Sequence, residues 1–240
     1  MFESYQNPYV VAAAPEDVRA TFIRRTYGHL AAAIGAFVAI EFLLFQIPGI
    51  DNRVMSLLAR SPYSWLIVLG GFMVVSWLAN KWALTSASKG MQYAGLGLSV
   101  VAQAVIFLPL LLIAASPRFL NAPEIIGQAA IITGTMFAGL TLIAFTTKKD
   151  FSFLGGILKV GFLVALGIIV VSIFMGFNLG LLFSGAMVLL ASISILYSTS
   201  NIIHHYGTEQ YVAAALGLFA SVALLFWYVL RILIILRGSD

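Results

Sequence analysis

The sequence predicts an all-α integral membrane protein, a bundle of seven transmembrane helices with little outside the bilayer. Three observations carry this. Of the 240 residues, 61% are hydrophobic and only 9% are charged, whereas a soluble domain has about a quarter charged and about half apolar residues. The apolar residues fall in long runs of about 20, the length that crosses a hydrocarbon core of about 30 Å as a helix. The runs are continuous and do not alternate every second residue, so helices rather than a closed barrel must satisfy the backbone polar groups in lipid. The lipid bilayer is therefore the first partner of this chain.

Taken in order, residues 1–27 read as a polar tail. It carries Glu3, Glu16 and Asp17 and is interrupted by proline, so it is expected to be flexible. It lacks the layout of a signal peptide, and the first span is expected to stay as an anchor. The spans are placed at 28–47, 64–84, 93–115, 124–146, 153–175, 179–200 and 211–236, which makes 28–236 one transmembrane domain and 237–240 a short C-terminal tail. Pro48-Gly49 stops the first, Pro62 precedes the second, Ser116-Pro117 ends the third and Pro123 precedes the fourth. Only Gly176-Phe177-Asn178 separates the fifth from the sixth, which demands a tight antiparallel hairpin. No loop is long enough for a second domain.

Lysine and arginine set the orientation. Arg19, Arg24, Arg25, Lys81, Lys89, Lys148 and Lys149 gather on one side, and Arg53, Arg60, Arg118 and Arg237 on the other. This bias places the N-terminus in the cytoplasm and, after seven spans, the C-terminus outside. The net charge of +4 is spread over loops and is no footprint for nucleic acid. Cysteine is absent, which excludes disulfides and thiolate metal sites.

Close helix packing in lipid relies on small residues. Gly28, Ala32 and Ala36 share one face of the first span, Gly95 and Ser99 of the third, Gly134 and Ala138 of the fourth, and Gly161 and Ala165 of the fifth. Together they predict a compact bundle.

A few polar residues lie at membrane depth. Glu41 is costly there and should face the bundle, either as a titrating gate or ion ligand, or as a structural group near the outer interface. The sixth span carries Ser184, Ala191, Ser194, Ser198 and Asn201 on one face, and the seventh Ala214, Gly217, Ser221, Leu224, Tyr228 and Arg231. The two stripes are expected to face each other, as hydrogen-bonding glue or as a polar lining for water or ions. Arg231 snorkels to the interface or pairs with a buried acid, Glu41 being the one at depth; Lys159 is expected to snorkel toward the cytoplasmic side.

His204-His205, with Glu209 nearby, lie after the sixth span. Adjacent histidines do not share a helix face, so they chelate poorly, though an exposed histidine can sense pH. No Gly-x-Ser-x-Gly, His-Glu-x-x-His or P-loop is present, and no span holds the paired Asp or Ser–His of an intramembrane protease. His29 has no nucleophile beside it. Neither catalysis, a cofactor nor a metal centre is expected.

The segment Thr146-Thr147-Lys148-Lys149-Asp150-Phe151-Ser152-Phe153-Leu154-Gly155-Gly156 resembles the loop between helices four and five of the Bax inhibitor family. Leu196-Tyr197-Ser198-Thr199-Ser200-Asn201-Ile202-Ile203-His204 is similar to the end of helix six in its bacterial YccA-like branch. Arg24-Arg25-Thr26-Tyr27 is similar to that branch's entry motif, and residues 214–232 follow the family's last helix. The resemblance implies six helices around a central C-terminal seventh, in a bacterial inner membrane.

Two activities come with it. The calcium-leak branch resembles pH-gated channels built on an acid in helix two and two Asp, one each in helices six and seven. Here the matching pair is Ser198 and Ser221, the region around Leu69-Gly70 has no acid, and the matching arginine stands as Arg231. Without two carboxylates sharing a proton, that switch for calcium or protons loses its physical basis. The YccA-like branch resembles a modulator of the membrane-bound AAA protease FtsH, engaging it as a poorly degraded substrate. That role needs no catalytic residue, only a cytosolic tail the protease can grasp and a bundle that resists extraction. Transport of a small solute is a third class, and nothing in the sequence names a substrate.

Overall fold

A computed structural model describes residues 10–61, 63–85, 88–147 and 149–238. A single 3-10 turn, Val11–Ala13, precedes eight α-helices: α1 (Glu16–Phe45), α2 (Ile50–Ala59), α3 (Ser64–Ala83), α4 (Lys89–Ala115), α5 (Glu124–Thr147), α6 (Leu154–Met175), α7 (Leu181–His204) and α8 (Tyr211–Arg237). Seven of them, all but α2, are long and apolar enough to span a membrane. The protein is thus a multi-pass, all-helical membrane protein among its described residues.

The first helix departs most from expectation. It starts at Glu16, not near Gly28. Pro15 stands at its N-cap and Glu16 and Asp17 in its first turn, where negative charge meets the positive end of the helix dipole. Its 30 residues run about 45 Å, longer than the hydrocarbon core, so it projects beyond the bilayer. The projecting part is packed: Phe22 and Thr26 are buried. Before it, Val11 is fully enclosed and its N–H donates to the carbonyl of Tyr206 at 2.9 Å. Much of the expected flexible tail is therefore docked.

Gly49, at φ +70°, turns the chain out of α1 into α2, an amphipathic helix that an apolar-run threshold does not register. Arg118 bonds the Asn52 side chain and lies 3.4 Å from the Asp51 carboxylate, which also accepts from Ser116 Oγ at 3.2 Å. The Asn52 backbone N–H, and then Ser116 and Arg118 against slight burial, hold the Asp51 carboxyl below the usual range.

The hairpins follow the loops. Gly176, at φ +71°, ends α6, and α7 starts at Leu181, as the short link demanded. α3 and α4 approach so closely at Gly95 that a Cβ there would lie 2.5 Å from the Ala79 carbonyl oxygen. α4 and α8 are the most enclosed spans: 67% of the apolar window of α4 and 44% of that of α8 is buried in the protein. α8 packs on α1, α3, α4, α5 and α7. α6, by contrast, packs chiefly on α7, and α3 chiefly on α4. The space left between α3 and α6 is the candidate site.

Candidate functional site

The two small and polar stripes meet as their spacing predicted. Ser221 Oγ lies 2.8 Å from Ser194 Oγ and 3.2 Å from Ser198 Oγ, and donates to the Gly217 carbonyl at 3.0 Å. These serines sit on the wall of a cavity of about 1030 Å³ bordered by α3 and α6 and floored by α4, α7 and α8. Arg231 lines the same cavity, and one guanidinium nitrogen donates to the Leu179 carbonyl at 2.6 Å. That carbonyl belongs to the α6–α7 link, so the arginine ties the last helix to the hairpin.

Glu41 does not join them. It is 6% exposed and faces the bundle from α1, but it does not line the cavity, and among the described residues neither carboxylate oxygen has a hydrogen-bond partner. The pairing of Glu41 with Arg231 is not formed. Ser184 is also elsewhere, bonded to the Gly180 carbonyl. Lys159, which the sequence treats as a snorkelling residue, lines the cavity and has no partner among the described residues. Its role could have been read from its spacing: it shares a face of α6 with Gly155, Phe162 and Ile173, and all of these border the same space.

Polar side chains line the cavity along its length, with Asn178, Tyr228 and Arg231 at the end away from the N-terminal face. Toward the N-terminal face of the bundle stand Ser76, Asn80, Ser99, Lys159 and Tyr197. Toward the opposite face stand Trp65, Phe107 and Trp227, with Trp65 stacked on Trp227 at 6.1 Å and Phe107 edge-on to Trp227 at 5.0 Å. No Asp or Glu lines it among the described residues.

A second, smaller hollow of about 340 Å³ opens at the N-terminal face, lined by Ser152, Asn201, His205, Tyr206 and Gln210, with Tyr197 shared between the two. Here the loop motif does its work. Lys148 lies outside the described residues, and Lys149 is exposed. Asp150 accepts from the Ser152 N–H at 2.9 Å and meets His205 Nε2 at 3.0 Å, while Ser200 Oγ accepts from the Phe151 N–H at 2.8 Å. The α5–α6 loop is thereby latched to the end of α7. Partial burial works against ionisation of Asp150, but the Ser152 N–H and His205 outweigh it and hold the carboxyl below its usual range. Burial, with Tyr197 adding to it, pushes the Tyr206 phenol up to about 12. The two histidines act separately: His204 Nδ1 faces the Ser200 carbonyl at 3.0 Å, and Glu209 pairs with Lys89 at 2.8 Å rather than with either of them. Among the described residues no three His, Asp or Glu side chains are grouped to hold a metal ion.

Comparison with known proteins places this architecture. The family model described as "Inhibitor of apoptosis-promoting Bax1" matches residues 19–238. An uncharacterised protein of Pseudomonas aeruginosa is 32% identical over 225 residues, covering 91% of this chain and 90% of the relative. "Modulator of FtsH protease YccA" of Escherichia coli is 38% identical over 111 residues, 46% of this chain and 50% of the relative. "Bax inhibitor 1" of Schizosaccharomyces pombe is 25% identical over 240 residues, 99% of this chain and 85% of the relative.

Proposed function

Since this chain belongs to the Bax inhibitor family, we propose that it is an integral membrane regulator that modulates a membrane-bound AAA protease of the FtsH type and catalyses no reaction itself. The observation that carries this choice within the family is electrostatic. The cavity at membrane depth has Lys159 and Arg231 on its walls and, among the described residues, no carboxylate, and Ser198 and Ser221 share a hydrogen bond where a leak built on paired acids would need two of them. In a low-dielectric setting such a lining repels a divalent cation and offers it no hard anionic ligand. What is left is a role in binding and regulation, in keeping with the name of the Escherichia coli relative, whose similarity covers about half of each chain.

The bundle suits a substrate that the protease engages but cannot readily extract. Every span is buried against at least one neighbour, and the segment around Val11 is pinned to Tyr206. The grasp would then fall on residues 1–9, ahead of the docked turn. The test is reconstitution of the chain with an FtsH-type protease and a labelled membrane substrate. Full-length protein should co-purify with the protease and slow substrate turnover, and deletion of residues 1–9 should abolish the slowing while leaving the bundle's helicity unchanged. Equal turnover with and without the full-length chain would refute the proposal.

One observation favours a second reading, an ion leak: three serine hydroxyls converge inside a cavity at membrane depth. Liposomes loaded with a calcium dye separate the two. The regulator reading expects no flux at any pH, in the parent chain or in Glu41→Gln.

A further inference from the structure

We propose that the cleft between α3 and α6 is a binding site for an anionic phospholipid drawn from the surrounding leaflet, one acyl chain lying along the aromatic wall and the headgroup meeting Lys159. The inference is independent of the protease reading and rests on access, size, polarity and charge.

Access comes from the lipid. The outer faces of both bordering helices stand in the bilayer: Ile67 and Val74 of α3 and Val160 and Leu163 of α6 are among the most exposed apolar side chains. Among the described residues the two helices are not a closely packed pair, and the ring contact between Tyr63 and Phe174, 5.6 Å apart, bridges their ends at the face opposite the N-terminus.

Size admits an acyl chain. The cavity of about 1030 Å³ matches the larger small-molecule sites, which run to about 1000 Å³. From Lys159 to Ile173 the wall of α6 extends about 21 Å, room for an extended acyl chain.

Charge orients it. Asn80, Ser76 and Lys159 stand at the N-terminal end of the cleft, and Trp65, Phe107 and Trp227 toward the other, with Arg231 one turn beyond Trp227. Two cations line the cleft with no carboxylate beside them among the described residues. Arg231 gives one nitrogen to the Leu179 carbonyl at the far end, whereas Lys159 has no partner among the described residues and stands at the N-terminal end, where a phosphate of that leaflet meets its ammonium. A neutral or cationic lipid would leave that charge uncompensated at the edge of the hydrocarbon.

The protein carries its own probe. It has four tryptophans, and replacing Trp77 and Trp82 by Phe leaves Trp65 and Trp227, stacked on each other in the cleft. This variant of the full chain is placed in phosphatidylcholine vesicles with a rising fraction of lipid brominated on its acyl chains, either phosphatidylglycerol or phosphatidylcholine. The site predicts that brominated phosphatidylglycerol quenches at a roughly fivefold lower fraction, the preference of one lysine for an anionic lipid. Lys159→Gln should erase the preference and Lys159→Arg keep it, both with unchanged helicity by circular dichroism. Equal quenching by the two headgroups, a preference that survives Lys159→Gln, or no quenching overturns the proposal. So does native mass spectrometry of the purified chain if the molecule retained is a polypeptide instead of a lipid.

Discussion

Single side chains at membrane depth divide into those that found partners and those that did not. Ser221 is the hub of its group, bonded to Ser194, Ser198 and the Gly217 carbonyl. Hydroxyl bonds between helices in a bilayer contribute about 1 kcal/mol or less each, because the separated helices find other partners. Ser221→Ala is therefore expected to lower stability by about 1 kcal/mol, read from denaturant unfolding in detergent micelles, whereas Ser184→Ala, remote from the cavity, should leave its lining intact. Glu41 is the opposite case. Both its oxygens are buried and lack a hydrogen bond among the described residues, so the carboxyl contributes desolvation cost without compensation. Glu41→Leu is expected to be neutral or stabilising in the same assay; a loss above about 2 kcal/mol would mean that a partner is present in the membrane. The serine pair was legible because a 3.6-residue period sets both stripes on defined faces. The isolation of Glu41 was not, since a period assigns a face and names no neighbour on it.

Helices in lipid meet where backbones can approach, and here the small residues split. Gly95 of α4 is buried against α3 and Ser99 is buried on the cavity wall, while Gly161 of α6 lies under Leu190 of α7. Gly28, Ala32 and Ala36 instead face away from the bundle, as do Gly134 and Ala138, and a Cβ at Gly28 or Gly134 would meet nothing. This gives an internal control. Gly95→Ala forces a methyl to 2.5 Å from a carbonyl oxygen of α3 and is expected to cost about 1–3 kcal/mol by overpacking. Gly28→Ala should gain up to about 1 kcal/mol from helix propensity alone. Between elements, the Asp150–His205 latch predicts an acid sensitivity. The Asp150 carboxyl is held below its usual range when folded, so its contribution is complete above the ordinary carboxylate value of about pH 4 and fades as pH falls through the lower folded value. Asp150→Asn should remove that part of the pH dependence, seen by comparing unfolding midpoints of parent and variant from pH 5 downward.

The molecule as a whole is placed in the bilayer by its ends and its charges. Because it has no cysteine, one introduced thiol reports topology cleanly. With the more basic face in the cytoplasm, Ser56→Cys, on α2, should react with an impermeant maleimide in intact cells, and Ser152→Cys, on the α5–α6 loop, only after lysis. The reverse pattern would turn the bundle over and place residues 1–9 out of reach of a cytosolic protease domain. Six spans emerged within a few residues of their hydropathic limits, since each begins and ends where the chain leaves hydrocarbon. The start of α1 did not, because its first turns lie beyond the membrane and are held by Phe22, Thr26 and the Val11–Tyr206 contact instead of by lipid. The helix α2 escaped notice for a related reason: ten residues are too few to register as a span.

Seven apolar segments, their hairpins and the lack of acids at Ser198 and Ser221 could be read along the chain, because hydrocarbon imposes a one-dimensional requirement of length and polarity. Outside the polar stripes of α7 and α8, which face of each helix turns inward could not, since in a bilayer the lipid-facing and protein-facing sides are equally apolar and write no contrast. The cleft between α3 and α6, the place of Lys159 within it and the enclosure of α4 and α8 arose only when distant segments packed, each helix settling where small residues and side-chain shapes allowed the closest approach.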